Sequence, residues 1–194
     1  MPWEKSFELD TATEKAMTLF WSKGYEATSM ADLTKTMGIN KGSLYNAFGG
    51  KNDLFKRALV QYDRDVTKRT LDMFEKIENP KEALESLFES IIKDCTNDTD
   101  HKGCFIVNTS LETPHHNPEI QKIVQDSIAG TEAFFVRIVE RGQALGVFPK
   151  GLNAKQVGSA LLAYMIALRV LSRGAYTQAG LKNIRDQALQ LVSI

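Results

Sequence analysis

The stretch Thr28–Lys51, TSMADLTKTMGINKGSLYNAFGGK, decides how this chain folds. Its pattern predicts two short helices around a glycine turn, then the start of another helix. Ser29 is placed to cap the first, and Asp32 lies three residues on, where a negative charge favours the positive end of the helix dipole. Met30, Leu33 and Met37 recur at helical spacing and form one apolar face. Gly38 stops the helix, because glycine enters the left-handed region cheaply. Ile39 is the apolar residue of the turn and plugs the angle between the helices. Asn40 caps the second helix, and Leu44 and Phe48 anchor it from below. Its other face shows Lys41, Ser43, Tyr45 and Asn46, a mixture of phosphate-pairing and base-edge-reading groups. A helix-turn-helix of this build lays its second helix in the major groove of DNA.

Helix, glycine turn and helix also occur in all-α proteins with no DNA role, so the charge pattern has to decide. Between Leu33 and Arg57 lie Lys35, Lys41, Lys51, Lys56 and Arg57 against the single acid Asp53. The whole chain balances 24 basic against 24 acidic residues. Positive charge is therefore local to the proposed reading surface, which suits a sequence-reading protein better than an indiscriminate polyanion binder.

With 194 residues, one large or two small domains are expected, and a hydrophobic fraction of 43% is enough for a buried core. There is no run of eighteen apolar residues, so no membrane span is expected. The start, MPWEKSFELD, lacks the apolar stretch of a signal peptide, which makes cytoplasmic residence the expectation. Cys95 and Cys104 have neither zinc spacing nor a CxxC pair, and read as free thiols.

Helix signals dominate the rest. Thr11-Ala12-Thr13-Glu14 reads as a capping box that opens the first helix, which Gly24 ends. A long helix is predicted over about Lys51–Ile77, with Leu54, Ala58, Tyr62 and Val66 on one stripe. Asn79-Pro80 opens the next, since proline fits the first helical turn. Further helices are expected over Gly103–Glu112, Pro118–Leu145, Asn153–Ser172 and Gln178–Leu191. The predicted class is all-α with about nine helices. Residues 1–50 form a three-helix helix-turn-helix DNA-binding domain, and residues 51–194 a helical body.

Ala16, Leu19, Phe20, Gly24, Tyr25, Thr28, Ser29, Met30, Gly38, Ile39, Lys41, Gly42, Ser43, Leu44, Tyr45, Phe48, Lys51, Leu54 and Phe55 together resemble the tetracycline-repressor family of bacterial transcription regulators. The resemblance runs without a gap from about residue 10 to 57. Beyond that only the layout matches, a helical ligand-binding and dimerisation body. By motif position it implies backbone-phosphate contacts at Thr28 and Ser29, and a close backbone approach at Lys41-Gly42. It also implies a phosphate- or base-touching Tyr45 and a phosphate clamp at Lys51. Where many members show an aromatic or polar residue followed by histidine, this chain has Asn46-Ala47. Ala47 cannot donate to a phosphate, whereas Asn46 can pair with an adenine edge.

A body pocket is expected to be lined by Phe88, Ile92, Phe105, Phe134, Phe135, Tyr164 and Met165, with Asn108, Thr109, Glu112 and Arg169 as polar points. Aromatic residues at helical spacing also serve as plain core. The expected effector is a largely apolar or aromatic small molecule. Cys104, beside Lys102, is a candidate redox or electrophile sensor, with a small buried hydrophobe as the alternative. Glu112, His115 and His116 are too few fixed ligands for a metal site, so no metal and no cofactor are expected. Val157, Leu161, Leu168, Leu181, Ile184 and Ala188 on the last two helices form stripes suited to a four-helix homodimer bundle or to the chain's own core, and the resemblance favours the dimer.

The reading that results is a non-enzymatic, ligand-responsive DNA-binding transcriptional regulator. It acts as a repressor at a palindromic operator of double-stranded DNA, as a homodimer without membrane association. The rival is a helical small-molecule binding or carrier protein without DNA function. A helical enzyme using Glu112 and His115 is a third reading, and no nucleophile–base pair supports it.

Overall fold

The computed structural model describes the backbone of residues 2–193 and the side chains of residues 9–112 and 114–193. Among these residues the chain is all helix and loop, without strands. Its elements are α1 (Pro2–Lys23), α2 (Met30–Met37), α3 (Lys41–Phe48), α4 (Lys51–Tyr62), a π-helical segment (Asp63–Lys68), α5 (Arg69–Glu75), α6 (Pro80–Asn97), α7 (Phe105–Leu111), a 3-10 turn (Thr113–His115), α8 (Pro118–Ala144), α9 (Ala154–Leu171) and α10 (Gln178–Gln190). Taken as one rod, α4, the π segment and α5 fill the predicted span from Lys51, which leaves nine helices among the described residues.

Local chemistry sets most of the boundaries. Asn40, Asn79, Asn117, Asn153 and Thr177 each accept a backbone N–H in the first turn of the helix they precede. Such a cap stabilises by about 1 kcal/mol, because it satisfies an N–H that has no partner in the helix. Gly38 and Gly49 end α2 and α3 at φ of 72° and 80°. A side chain with a Cβ is strained in that region, so both turns require glycine.

The first helix departs from expectation. It already includes Thr11–Glu14, so those residues are helix interior and not a capping box. Thr13 is buried, and its hydroxyl donates to the Leu9 carbonyl one turn back. The predicted single helix from Lys51 also carries the π-helical stretch at its centre, where Asp63 is buried and accepts hydrogen bonds from Ser127 of α8 and from Lys68.

Two apolar clusters fill the molecule. The proximal one joins Ala16 and Phe20 of α1, Leu33 and Met37 of α2, Leu44 and Phe48 of α3, and Leu54, Phe55, Ala58, Leu59 and Tyr62 of α4 to Phe105 and Ile106 of α7 and Ile120 and Val124 of α8. The core beneath the head thus crosses position 50 and includes body residues. The distal cluster gathers α6, α8, α9 and α10 around Leu84, Phe88, Phe134, Phe135, Ile138 and Leu161. Polar links tie the rod to α8 and its cap: Asn52 to Asn117, Lys56 to Glu119, Asp63 to Ser127, Glu75 to Arg137, and the Glu75 carbonyl to Arg141. The head therefore hangs from the body through α4, with α7 and α8 against its underside.

Candidate nucleic-acid interface and effector clefts

The helix-turn-helix is assembled by reciprocal capping. Ser29 Oγ accepts the Asp32 N–H at 3.1 Å, while Asp32 Oδ2 accepts the Ser29 N–H at 2.9 Å. Lys23 donates to the same carboxylate at 2.6 Å. Lys23, together with the Ser29 amide and hydroxyl, holds Asp32 well below the usual carboxylate range. Leu33, Met37, Leu44 and Phe48 are buried beneath the two helices, which frees the outer face of α3.

That face carries Lys41, Gly42, Ser43, Tyr45 and Asn46, all exposed. A Cβ on Gly42 would sit 3.3 Å from Asn40 Oδ1, so glycine leaves the cap undisturbed and the backbone open to close approach. Tyr45 rests over Gly50, where a Cβ would lie 3.5 Å from its ring, and Lys41 Nζ stands 5.9 Å from the ring centre. Lys51 opens α4 and places its ammonium 4.2 Å from the centre of the Tyr25 ring. Both lysines occupy the first position of a helix, where the dipole is positive and a cation is disfavoured by about 0.3–1 kcal/mol. Among the described residues neither forms an ion pair with a carboxylate, and phosphate is the group that would offset that cost.

Thr28 does not belong to this surface. It is completely buried, and its hydroxyl donates to the Gly24 carbonyl at 2.6 Å. Its side chain fastens the α1–α2 corner, so the phosphate role the resemblance implied is corrected to a structural one. Ser29 stays exposed with its hydroxyl engaged in the cap.

The residues expected to line one pocket fall in three places. Phe88 and Phe134 are fully buried in the distal core, and Tyr164 packs half-buried against it. Phe88 and Phe134 fill space between helices, so they are corrected to core packing, and Tyr164 lies at the margin of that core. Phe105, Asn108 and Glu112 border a cleft of about 190 Å³ between α1 and α7, together with Trp21, Tyr25 and Arg173. Asn108 is held there by its own bond to the Lys102 carbonyl and by Arg173. Arg169 lines a different cleft of about 280 Å³ with Trp21, Tyr62, Asp94, Cys95 and Lys102, and pairs with Asp94 at 3.1 Å. Cys104 precedes α7, half-buried beside Tyr62, whose hydroxyl is raised well above its ordinary pKa by burial and by that thiol.

The stripes on the last two helices also divide. Leu161, Leu168, Leu181 and Ala188 are buried within the protomer and cannot face a partner, because they pack inward on α6 and α8. Val157 and Ile184 are half-buried. α9 is long and apolar enough to cross a membrane, with a mean hydropathy of 1.3, yet only 22% of it is buried. Ala163 is exposed and Tyr164, Ile166, Ala167 and Val170 are partly so, which leaves an apolar outer face. The sequence reading gave Trp21, Tyr25 and His116 no role at the head–body junction: Tyr25 entered only as part of the family resemblance, and His116 only with Glu112 and His115 as a rejected metal set.

Residues 12–58 match the model for bacterial regulatory proteins of the tetR family, and residues 80–187 match the tetracyclin repressor-like C-terminal domain. Among curated proteins, the HTH-type transcriptional repressor ComR of Escherichia coli K12 is 29% identical over 188 residues, covering 96% of this chain and 90% of that protein. Among solved structures, a cysteine-substituted form of the TetR family transcriptional regulator CifR, complexed with 26-base-pair double-strand operator DNA, superimposes with a TM-score of 0.81 at 27% identity, covering 93% of this chain and 95% of that one. A TetR family regulator from Agrobacterium tumefaciens shares the fold at a TM-score of 0.85 and 21% identity, covering 97% and 98% of the two chains.

Proposed function

This chain belongs to the TetR family of bacterial regulatory proteins, and from that premise we propose that it is a homodimeric transcriptional repressor that leaves a palindromic operator when a small molecule binds its body. It is a DNA-binding regulator and not an enzyme, and it acts in the cytoplasm, where the chromosome lies.

One observation carries the DNA reading. Lys41, exposed beside Ser43, Tyr45 and Asn46, and Lys51, half-buried over the Tyr25 ring, stand at two dipole-positive helix starts. Ser43 and Tyr45 serve backbone contacts, and Asn46 reads a base edge. A two-fold dimer presents two such faces to two half-sites about one helical turn apart. The partly exposed apolar face of α9, with Val157 and Ile184 at its margin, is the surface proposed to pair.

The effector site proposed is the cleft of Arg169, Trp21, Tyr62 and Cys95 against the rod. Two aromatic walls suit an aromatic molecule, and Arg169, Asp94, Asp98 and Lys102 supply the polar points that would hold it. Release of DNA follows only if the molecule binds the DNA-incompetent arrangement more tightly. A second reading rests on the thiols: Cys95 lines this cleft, and Cys104 lies half-buried beside Tyr62 outside its lining, so an electrophile or oxidant would meet Cys95 in the cleft and reach Cys104 past Tyr62. Phe105, Asn108 and Glu112 border the neighbouring cleft and are secondary ligand candidates.

The test is genomic selection of fragments bound by the purified protein, followed by sequencing and footprinting. A palindromic site protected at nanomolar protein supports the reading. Retention of no fragment above background at low salt would leave the carrier-protein reading in its place.

A further inference from the structure

His116 is the most isolated titratable side chain at the junction of head and body. Its side chain is 3% exposed, and Nε2 has no hydrogen-bond partner. The ring stacks on Phe55 of α4 at 5.5 Å and 28°, and meets the Tyr25 ring edge-on at 5.5 Å. The same Tyr25 ring holds the Lys51 ammonium at 4.2 Å. Two contacts in series thus lead from the His116 ring of the body, through the Tyr25 ring, to the proposed phosphate clamp, with Phe55 packed against both rings. An unpartnered polar atom in an apolar site is costly, and native proteins rarely leave one without a role.

We propose that His116 is a positioning residue for the DNA clamp: its neutral ring sets Tyr25 and through it Lys51, and a proton on Nε2 withdraws that support and weakens operator binding. This rests on the DNA-binding reading above.

The charges around the ring explain the direction. Glu112, just after α7, places Oε2 3.9 Å from Nε2, too far to accept a hydrogen bond but close enough to draw a cation. Glu26, in the link between α1 and α2, pulls the same way, while His115 next to it opposes. Lys51 lies beyond Tyr25, and Lys56 of α4 is engaged with Asp53 and Glu119. An imidazolium would therefore bring a second cation against the Tyr25 ring that already holds the Lys51 ammonium, and would move toward Glu112. That motion breaks the stack on Phe55 and Tyr25. Burial already holds the His116 pKa below its ordinary value, so the ring is neutral at pH 7.5 and the change falls below about pH 6.5. By linkage, operator binding must expel the proton, and bound DNA must lower the His116 titration midpoint further.

The experiment uses the full-length protein and the operator fragment recovered by genomic selection. Fluorescence anisotropy would follow affinity between pH 5.5 and 7.5 at constant salt, for the parent, His116→Phe, His116→Gln, His115→Gln and Tyr25→Phe. NMR would titrate the histidine Cε1–H signals with and without DNA. The parent, His115→Gln and Tyr25→Phe should lose about tenfold in affinity across the range, the equivalent of one pKa unit of linkage. His116→Phe, which keeps the ring stack, and His116→Gln should be flat. Equal pH profiles in parent and His116→Phe, or a His116 midpoint unmoved by operator, would overturn the proposal and leave the DNA reading intact. Failure to bind any fragment at any pH would overturn both. If His116→Gln does not fold, the NMR midpoint and His116→Phe still decide.

Discussion

Replacing Lys41 by alanine should weaken operator binding and leave the free protein as stable as before, or more so. Lys41 is exposed at the first position of α3, and its ammonium stands 5.9 Å from the centre of the Tyr45 ring. A cation there opposes the helix dipole by about 0.3–1 kcal/mol. The ring contact, at the limit of its range, returns about 0.5 kcal/mol at most. The net change in stability therefore runs from about zero to a gain of about 1 kcal/mol, or roughly 0–4 °C in melting temperature for a protein of this length. On DNA the sign reverses. Each phosphate contact contributes about 0.9 to the slope of log affinity against log salt, and a dimer loses two of them. The slope should flatten by about 1.8, so the parent's advantage over Lys41→Ala shrinks about 12-fold between 50 and 200 mM salt. Calorimetry and anisotropy at four salt concentrations measure both effects. A variant that melts well below the parent, or that keeps the parental salt slope, would refute the assignment of Lys41 to a phosphate.

The other tests address different parts of the molecule. Asn46→Ala should cost about 1–3 kcal/mol against the preferred base at one position per half-site; equal losses on every operator variant, measured by anisotropy, would mean a backbone contact instead. Ala163→Glu, on the exposed face of α9, should convert the dimer to monomer in sedimentation without lowering the melting temperature, since Ala163 is not core; a dimer that persists would move the interface elsewhere. Arg137 holds Glu75 below its ordinary pKa through a bidentate pair, so the folded state gains stability above the unfolded carboxyl's pKa and loses it as pH falls through the folded value. The pair is largely solvated, so Glu75→Gln should remove less than about 1 kcal/mol at pH 7 and nothing near pH 2, as read by urea unfolding.

The division between what was legible in the sequence and what was not follows the range of the forces. Helix starts at Ser29, Asn40, Asn79 and Asn153 could be read directly, because a cap is a bond between neighbours about three residues apart. The exposed face of α3 was legible for the same reason: Leu44 and Phe48 determine which side is buried, and the dipole and the side-chain chemistry supply the rest. The box at Thr11–Glu14 misled because the same four residues are compatible with a helix already under way from Pro2. Tertiary structure alone decided the burial of Thr28, the confinement of Phe88 and Phe134 to the distal core, and the inward turn of Leu161, Leu168, Leu181 and Ala188. Each depends on which helix covers which stripe, and a periodic apolar pattern is the same whether the cover is its own chain, a partner or a ligand. His116 shows this most plainly. Its environment is built by Tyr25 and Phe55, more than sixty residues away along the chain, and only packing brings their rings within 5.5 Å of it.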